Sequence, residues 1–188
     1  MHNPKNFNYR KSTLYLVEHM SPPYKIAEVG TFRGGNAFRL AHLDLSELYL
    51  IDPYVGYKDF DQQKDWYNQQ ILDQALIESH NRTLKFMDKV TIIIQKSTEA
   101  VLLFPDNYFD YVYIDGAHKY KAVKKDVEVW YPKVRKGGFL AGHDYNSVGP
   151  EKAINQFAKL KGLKVISWCP TRTPNVPDET KDWLVIKE

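Results

Sequence analysis

Short runs of β-branched and aromatic residues alternate along this chain with stretches of helical periodicity. Such alternation is typical of α/β proteins, in which helices cross over between the parallel strands of one sheet and cover both of its faces. Strands are predicted near residues 24–30, 47–52, 90–96, 109–115, 138–143, 163–169 and 182–188. Helices are predicted near residues 34–43, 67–80, 97–103, 119–131 and 151–161.

The last two predicted strands are joined by a segment that carries prolines and has no helical pattern. Parallel neighbours need a long crossover connection, usually a helix, whereas antiparallel neighbours do not. We therefore expect residues 163–169 and 182–188 to pair antiparallel at one end of an otherwise parallel sheet. In the fourth predicted helix, Val123, Val127 and Trp130 recur at a spacing of three to four residues, which predicts that this face packs on the sheet.

Composition sets only broad limits on this chain. Its 188 residues are 43% hydrophobic and 26% charged, which fits a single globular domain over residues 1–188. The net charge of +3 is small and the lysines are scattered, so no nucleic-acid partner is indicated. The single cysteine, Cys169, excludes an intramolecular disulfide. Because no signal-peptide core or membrane-spanning run is apparent, we expect a cytoplasmic protein without a membrane partner.

A glycine turn, from Gly30 to Gly34, separates the first predicted strand from the first predicted helix. Backbone N–H groups in such a turn can approach a ligand closely. A dinucleotide-binding turn would place glycines at positions 28, 30 and 33, but this chain has Glu28 and Arg33 at two of them. An acid beside the turn suits a ligand with an ammonium or sulfonium charge, and S-adenosylmethionine carries both. Thr31, within the turn, is a further predicted cofactor contact.

Single polar residues follow the second and third predicted strands. Asp52 lies about 20 residues after the glycine turn, where an acid in nucleotide-binding α/β folds accepts hydrogen bonds from ribose hydroxyls. The alternative is that Asp52 caps the turn that begins at Pro53. Ser97 follows the third strand and either contacts the adenine edge or caps the next helix. The sequence leaves both pairs of alternatives open.

Two polar clusters follow the fourth and fifth predicted strands. The first contains Asp115 and His118, and the second contains His143 and Asp144. Because parallel strands end at the same edge of a sheet, we expect one shared site there, with Gly30 beside Asp115. A structural alternative is that the Asp-Gly pair forms a simple turn and His118 caps the following helix.

Taken in order, these motifs resemble those of class I S-adenosylmethionine-dependent methyltransferases. The resemblance rests on Glu28-x-Gly30-x-x-x-Gly34, Asp52, Ile114-Asp115-Gly116-x-His118-x-Tyr120 and Gly137-Gly138-x-x-x-Gly142-His143-Asp144-Tyr145. The last two blocks are similar to small-molecule O-methyltransferases that act on sugar hydroxyls of macrolides and glycans. The resemblance implies a Rossmann-like, doubly wound sheet of seven strands whose last strand is antiparallel. It also implies transfer of a methyl group from S-adenosylmethionine to a hydroxyl of a small-molecule or glycan acceptor.

Roles for individual residues follow from the same resemblance. Members of the family commonly hold Mg²⁺ with acids at the ends of strands four and five, and one branch uses a histidine three residues after the strand-four acid as base. Here those positions are Asp115 and His118, so Asp115 has cofactor binding and metal binding as competing roles. At strand five His143 precedes Asp144, and His143 either ligates a softer ion or acts as a base. We thus expect His118 and His143 to be catalytic, and Asp115, His143 and Asp144 to be the site of any Mg²⁺ or Mn²⁺.

An aromatic cluster that follows Asp52 is predicted to stack on a sugar or on adenine, and two residues of the loop before the last strand are predicted to contact the acceptor. The candidates are Tyr54, Tyr57, Trp66, Tyr67, Arg172 and Asn175. No cap over the acceptor site is apparent in the sequence, so a second copy of the chain or a fused partner domain is expected to complete the acceptor pocket. Two other functions stay open: a cofactor-binding module without turnover, and a nicotinamide-dependent oxidoreductase, against which Glu28 and Arg33 argue.

Overall fold

One sheet organises the computed structural model, which describes residues 8–56, 68–169, 177 and 181–188. Its strands are β1 (Tyr24–Val29), β2 (Leu45–Ile51), β3 (Val90–Ile93), β4 (Phe109–Ile114), β5 (Val134–Gly142), β6 (Ile166–Ser167) and β7 (Trp183–Ile186). They lie in the order β3-β2-β1-β4-β5-β7-β6. Strands β1 to β5 pair in parallel, whereas β7 is antiparallel to both β5 and β6. The predicted seven-stranded α/β fold, with its antiparallel terminal hairpin, is confirmed.

Helices connect most of these strands. They are α1 (Lys11–His19), α2 (Gly35–Leu40), α3 (Gln69–Thr83), α4 (Ser97–Ala100), α5 (Tyr120–Trp130) and α6 (Val148–Lys161). All five predicted helices are present with shifted ends, and α4 continues into a short 3₁₀ helix. Helix α1 was not predicted. Its N-cap residue, Arg10, makes no capping hydrogen bond through its side chain, so α1 lacks the usual signal that marks a helix start.

The hydrophobic core lies on both faces of the sheet. On one face Leu16 of α1 and Leu40 of α2 pack against β1, β2 and β4. On the other face α5 and α6 cover the sheet, and the predicted apolar face of α5 is buried through Val123, Val127 and Trp130. Within the described part of the chain, no helix combines the length and the apolar character needed to cross a membrane.

The carboxyl ends of β1, β4 and β5 meet at one edge of the sheet. The Asp115 amide donates to the carbonyl of Val29 at 2.7 Å, and the His143 amide donates to the carbonyl of Ile114 at 3.1 Å. At Gly30 any side chain would collide with the next strand, because a Cβ there would lie 2.3 Å from the carbonyl oxygen of Asp115. The expected placement of Gly30 beside Asp115 is therefore confirmed.

Candidate active site

The glycine turn is held between the sheet and α3. The Gly30 amide donates to the carbonyl of Ile51 at 2.8 Å, and the Gly34 amide donates to the carbonyl of Thr31 at 2.9 Å. Gly34 has a φ of +72°, and a Cβ at this position would lie 2.8 Å from the Cα of Ser79. The turn therefore needs glycine at Gly34 for both its backbone conformation and its packing against α3.

Glu28 is a buried acid at the end of β1 with one oxygen left unpaired. The side-chain amide of Asn36 donates to its Oε1 at 2.8 Å. Its Oε2 and the Oγ1 of Thr31 are buried and have no hydrogen-bond partner among the described residues. Burial raises the pKa of Glu28 to about 8, although the hydrogen bond from Asn36 lowers it in part. An acid of this kind fits a cationic ligand group, because such a group would satisfy Oε2 and favour the ionised carboxylate.

Asp52 connects the glycine turn to the loop after β2. Its Oδ2 accepts from the amide of Phe32 and its Oδ1 accepts from the amide of Tyr54, both at 2.9 Å. The bond from Tyr54 matches the alternative in which Asp52 caps the turn at Pro53. Burial raises the pKa of Asp52, and the backbone hydrogen bonds oppose that shift. Each carboxylate oxygen can still accept a second hydrogen bond, so a ribose contact stays compatible with this geometry.

Ser97 does not cap α4. The N-cap residue is Lys96, and Ser97 is the first residue inside the helix. Its hydroxyl donates to Asp126 of α5 and accepts from the indole N–H of Trp130 at 2.8 Å. The capping alternative was therefore wrong, because the hydroxyl is drawn to a buried carboxylate on α5; the adenine contact stays a prediction.

The predicted chemical residues come together at the ends of β4 and β5, where Asp115, His118, His143 and Asp144 line a small pocket. The Nδ1 atom of His143 lies 3.6 Å from Oδ1 of Asp115 and 3.3 Å from Oδ1 of Asp144. Burial raises the pKa of Asp115 to about 7, and a positive charge on His143, present when that ring is protonated, limits the rise. Two carboxylates and two imidazoles thus share one partly enclosed site.

His118 and Asp144 form a hydrogen-bonded pair in this site. The Nδ1 atom of His118 donates to Oδ2 of Asp144. This hydrogen bond raises the pKa of His118, against the smaller lowering caused by burial. Burial alone would raise the pKa of Asp144, but the hydrogen bonds from His118 and His143 hold it well below its usual range. Helix α5 begins at Tyr120 with Lys119 as its N-cap residue, so His118 does not cap it.

Close backbone contact fixes the position of His118. At Gly149, in the first turn of α6, a Cβ would lie 2.7 Å from the carbonyl oxygen of His118 and 3.0 Å from the amide nitrogen of Tyr120. The imidazole itself is partly exposed, with 43% of its side chain accessible to solvent. His118 therefore combines a constrained backbone with an imidazole edge that is open to solvent.

Arg10 is a residue of this site that the sequence analysis missed. Its Nη1 lies 2.7 Å from Nε2 of His143, and its Nη2 lies 3.9 Å from Oδ2 of Asp115. Burial lowers the pKa of His143, but the hydrogen bond to Asp144 and the charge of Asp115 outweigh it and raise that pKa above its ordinary value. A guanidinium can only donate, however, so Nε2 must accept. In this arrangement the ring of His143 is neutral and carries its proton on Nδ1.

The predicted metal ligands lie close together but are not arranged as a free ligand set. Suitable atoms of Asp115, His143 and Asp144 all lie within 4.8 Å of one another. With Arg10 in place, however, the nitrogen of His143 that faces both acids carries a proton and has no lone pair for a metal. The guanidinium beside Asp115 also opposes the approach of a cation. The residues present therefore do not fit a divalent ion in this arrangement.

One of the predicted acceptor contacts, Tyr54, lies among the described residues. Tyr54 is buried and donates from its hydroxyl to the carbonyl of Phe32 at 3.0 Å, so it supports the glycine turn. The other candidates lie outside the described residues: Tyr57, Trp66, Tyr67, Arg172 and Asn175.

Comparison with known proteins agrees with this geometry. Residues 27–145, which include the glycine turn and both polar strand ends, match a family described as "Methyltransferase domain". An uncharacterized protein of Sinorhizobium fredii, y4gI, is 29% identical over 136 residues, or 70% of this chain. The chain spans only 14% of the length of that relative.

Solved structures of low sequence identity share the fold. An rRNA methylase from Streptococcus thermophilus has a TM-score of 0.63 at 15% identity, covering 100% of this chain and 99% of that one. Spermidine synthase from Thermotoga maritima has a TM-score of 0.60 at 17% identity, and the match covers 95% of this chain and 57% of that one. The O-methyltransferase NovP has a TM-score of 0.58 at 13% identity, and the match covers 88% of this chain and 72% of that one. Since the family match covers more than half of the sequence, the chain belongs to the family of class I S-adenosylmethionine-dependent methyltransferase domains.

Proposed function

We propose that this chain is an O-methyltransferase domain in which His118, oriented by Asp144, removes the proton from an acceptor hydroxyl. The observation that carries this proposal is the hydrogen bond from Nδ1 of His118 to Asp144. It leaves the opposite ring nitrogen, Nε2, as the atom that can accept a proton. An acid that holds an imidazole in one tautomer and stabilises its protonated form is a recurring arrangement in general base catalysis.

S-adenosylmethionine supplies an activated methyl group when it is bound, so the protein has two tasks: positioning and proton removal. As the acceptor oxygen gains the methyl group, its proton passes to Nε2 of His118. A sugar hydroxyl is far less acidic than an imidazolium, so the base must be strengthened. The hydrogen bond to Asp144 does this, because it raises the pKa of His118. His143 is proposed to position the two acids, because its ring contacts Arg10, Asp115 and Asp144.

The cofactor is proposed to lie across the ends of β1, β2 and β4. Glu28 would bind the ammonium group through its unpaired oxygen, and Asp52 would accept from the ribose hydroxyls. Backbone groups of the glycine turn would approach the ligand closely. The proposed contacts are Glu28, Gly30, Thr31, Gly34, Asp52, Ser97 and Asp115.

A sugar or glycan hydroxyl is the proposed acceptor class. Support comes from the motif resemblance to sugar O-methyltransferases and from the shared fold of the O-methyltransferase NovP. The pocket beside His118 is small, but the imidazole is partly exposed, so an acceptor would reach it from the solvent side, where a partner could complete the site. We do not include Mg²⁺ or Mn²⁺ in this proposal, because Arg10 and His143 oppose a cation there.

The test is methyl transfer from labelled S-adenosylmethionine to a panel of glycosides, oligosaccharides and RNA. We expect His118→Ala to lower the transfer rate by about 10²–10⁴-fold while binding of S-adenosylhomocysteine stays nearly unchanged. His80→Ala is the matched control, because His80 is exposed on α3 and does not line the pocket that contains His118. Equal losses of binding and rate in His118→Ala would instead indicate a structural role for His118.

Two further outcomes would replace the proposal. Protection against thermal unfolding by NAD, with none by S-adenosylmethionine, would favour the nicotinamide-dependent oxidoreductase. Tight binding of S-adenosylmethionine without a methylated product across the whole panel would favour a binding module that lacks turnover.

A further inference from the structure

Arg10 brings a positive charge into the acidic cluster from the amino-terminal part of the chain. It is the N-cap residue of α1, and its side chain is only 11% exposed. Its two terminal nitrogens are directed at different partners, since Nη1 lies 2.7 Å from Nε2 of His143 and Nη2 lies 3.9 Å from Oδ2 of Asp115. The guanidinium is therefore a buried part of the site and not a surface charge that happens to lie nearby.

A buried network fixes the start of α1 and, with it, the position of Arg10. The amide of Ser12 donates to Oδ2 of Asp182 at 3.0 Å, and the hydroxyl of Ser12 donates to the same oxygen. The hydroxyl of Tyr113 on β4 donates to Oδ1 of Asp182 at 3.0 Å. Ser12, Tyr113 and Asp182 are fully buried. Because this anchor lies only two residues beyond Arg10, it fixes the backbone from which the Arg10 side chain reaches the site.

The contacts of Arg10 are incompatible with a divalent ion on the same acids. An ion held by all three residues would need the lone pair of His143 Nδ1, but the contact from Arg10 to Nε2 requires the proton to stay on Nδ1. A second cation near Asp115 would also meet the guanidinium charge at short range. We propose that Arg10 is the built-in cation of this site: it neutralises Asp115, sets the tautomer of His143 and excludes a divalent ion from Asp115, His143 and Asp144.

This inference deepens the proposed function, but its test does not need the acceptor to be known. The measurement is Mn²⁺ binding to the cofactor-free full chain, followed by electron paramagnetic resonance. We expect no specific Mn²⁺ site in the wild type. In Arg10→Ala we expect affinity to rise by at least about tenfold, because a buried positive charge is removed and His143 can move its proton to Nε2. This new site should disappear in Arg10→Ala/His143→Ala.

Two variants separate charge from structure. Arg10→Lys keeps the positive charge and should still exclude Mn²⁺, whereas Arg82→Ala removes an exposed arginine of α3 and should behave as the wild type. Thermal unfolding establishes that each variant is folded. A stoichiometric Mn²⁺ site in the wild type that is lost in His143→Ala would overturn the proposal. It would also be overturned if folded Arg10→Ala bound Mn²⁺ no better than the wild type.

An activity measurement then distinguishes this inference from the proposed function. Wild-type methyl transfer should be insensitive to a chelator, and Arg10→Ala should transfer more slowly than Arg10→Lys. If no acceptor in the panel is methylated, the proposed function fails while the Mn²⁺ result still decides the role of Arg10. If transfer occurs and requires added Mn²⁺, the role of Arg10 fails while the O-methyltransferase proposal stands.

Discussion

Replacing Glu28 with glutamine should stabilise the unliganded protein and weaken cofactor binding at the same time. Glu28 is buried at the end of β1, and burial raises its pKa from 4.5 to about 8. Glutamine keeps the size of the side chain and an oxygen that can accept from Asn36, as Oε1 of Glu28 does at 2.8 Å. The substitution therefore removes the charge while it keeps the packing.

The size and sign of the stability effect follow from the two pKa values. The folded protein retains the proton of Glu28 up to a higher pH than the unfolded chain does. The contribution of Glu28 to the free energy of unfolding is therefore fully present below pH 4.5 and is lost as the pH rises towards 8. One pKa unit corresponds to about 1.4 kcal/mol, so the wild type should lose about 3 kcal/mol between pH 4.5 and pH 7. Glu28→Gln should not show this loss.

The assay is urea unfolding of the cofactor-free wild type and Glu28→Gln at pH 5, 7 and 8, together with calorimetric binding of S-adenosylmethionine. Affinity should fall by about 10- to 100-fold in the variant, because a hydrogen bond to a charged group contributes about 1.5–3 kcal/mol. Glu99→Gln, at an exposed position of α4, is the matched control and should change neither quantity. Equal pH dependence in wild type and Glu28→Gln would show that ionisation of Glu28 does not control stability, and unchanged affinity in the variant would show that its charge does not bind the cofactor.

Three further substitutions test how the chemical site is held together. Asp144→Asn removes the anion that raises the pKa of His118, so the acidic limb of the pH–rate profile should move to lower pH and the rate should fall by about 10²–10⁴-fold; an unmoved limb would show that the pair does not act as a unit. Gly149→Ala places a Cβ 2.7 Å from the carbonyl oxygen of His118, so steady-state kinetics should show a lower kcat, while titration with S-adenosylhomocysteine should show unchanged binding. Asp182→Ala leaves buried donors without an acceptor at the start of α1, and urea unfolding should show a loss of about 1–3 kcal/mol for each unsatisfied donor; a loss below this range would show that α1 is anchored elsewhere.

The sheet and its active edge could be predicted because local patterns determine them. Alternating strands and helices predict the parallel sheet, and the helix-free connection before β7 predicts the antiparallel hairpin. The placement of Gly30 beside Asp115 needed only the rule that parallel strands end at one edge. The burial of Val127 and Trp130 likewise follows from helical periodicity alone.

The partners of the site residues could not be predicted in the same way. Arg10 reaches His143 across a separation of 133 residues, and nothing in the residues around Arg10 marks it as part of a site. Helix α1, which carries it, has no capping side chain that would have revealed its start. The carboxylate of Asp144 was predicted as a metal ligand, but its hydrogen bond to His118 depends on how the loops after β4 and β5 meet. Such contacts arise from tertiary packing and leave no periodic signal in the sequence.

The acids of this sheet edge are balanced in two different ways. Asp115 and Asp144 lie beside positive or hydrogen-bond-donating side chains of the protein itself, namely Arg10 and the two histidines. Glu28 has only a neutral amide on one oxygen, while its other oxygen has no partner among the described residues. A ligand with a positive charge can therefore gain most at Glu28, whereas a metal ion at the other two acids must compete with charges already present. For this reason we expect substitutions of Glu28 to lower the affinity for the cofactor and raise the stability of the unliganded protein. Substitutions of Asp144 should lower the rate of catalysis without raising stability.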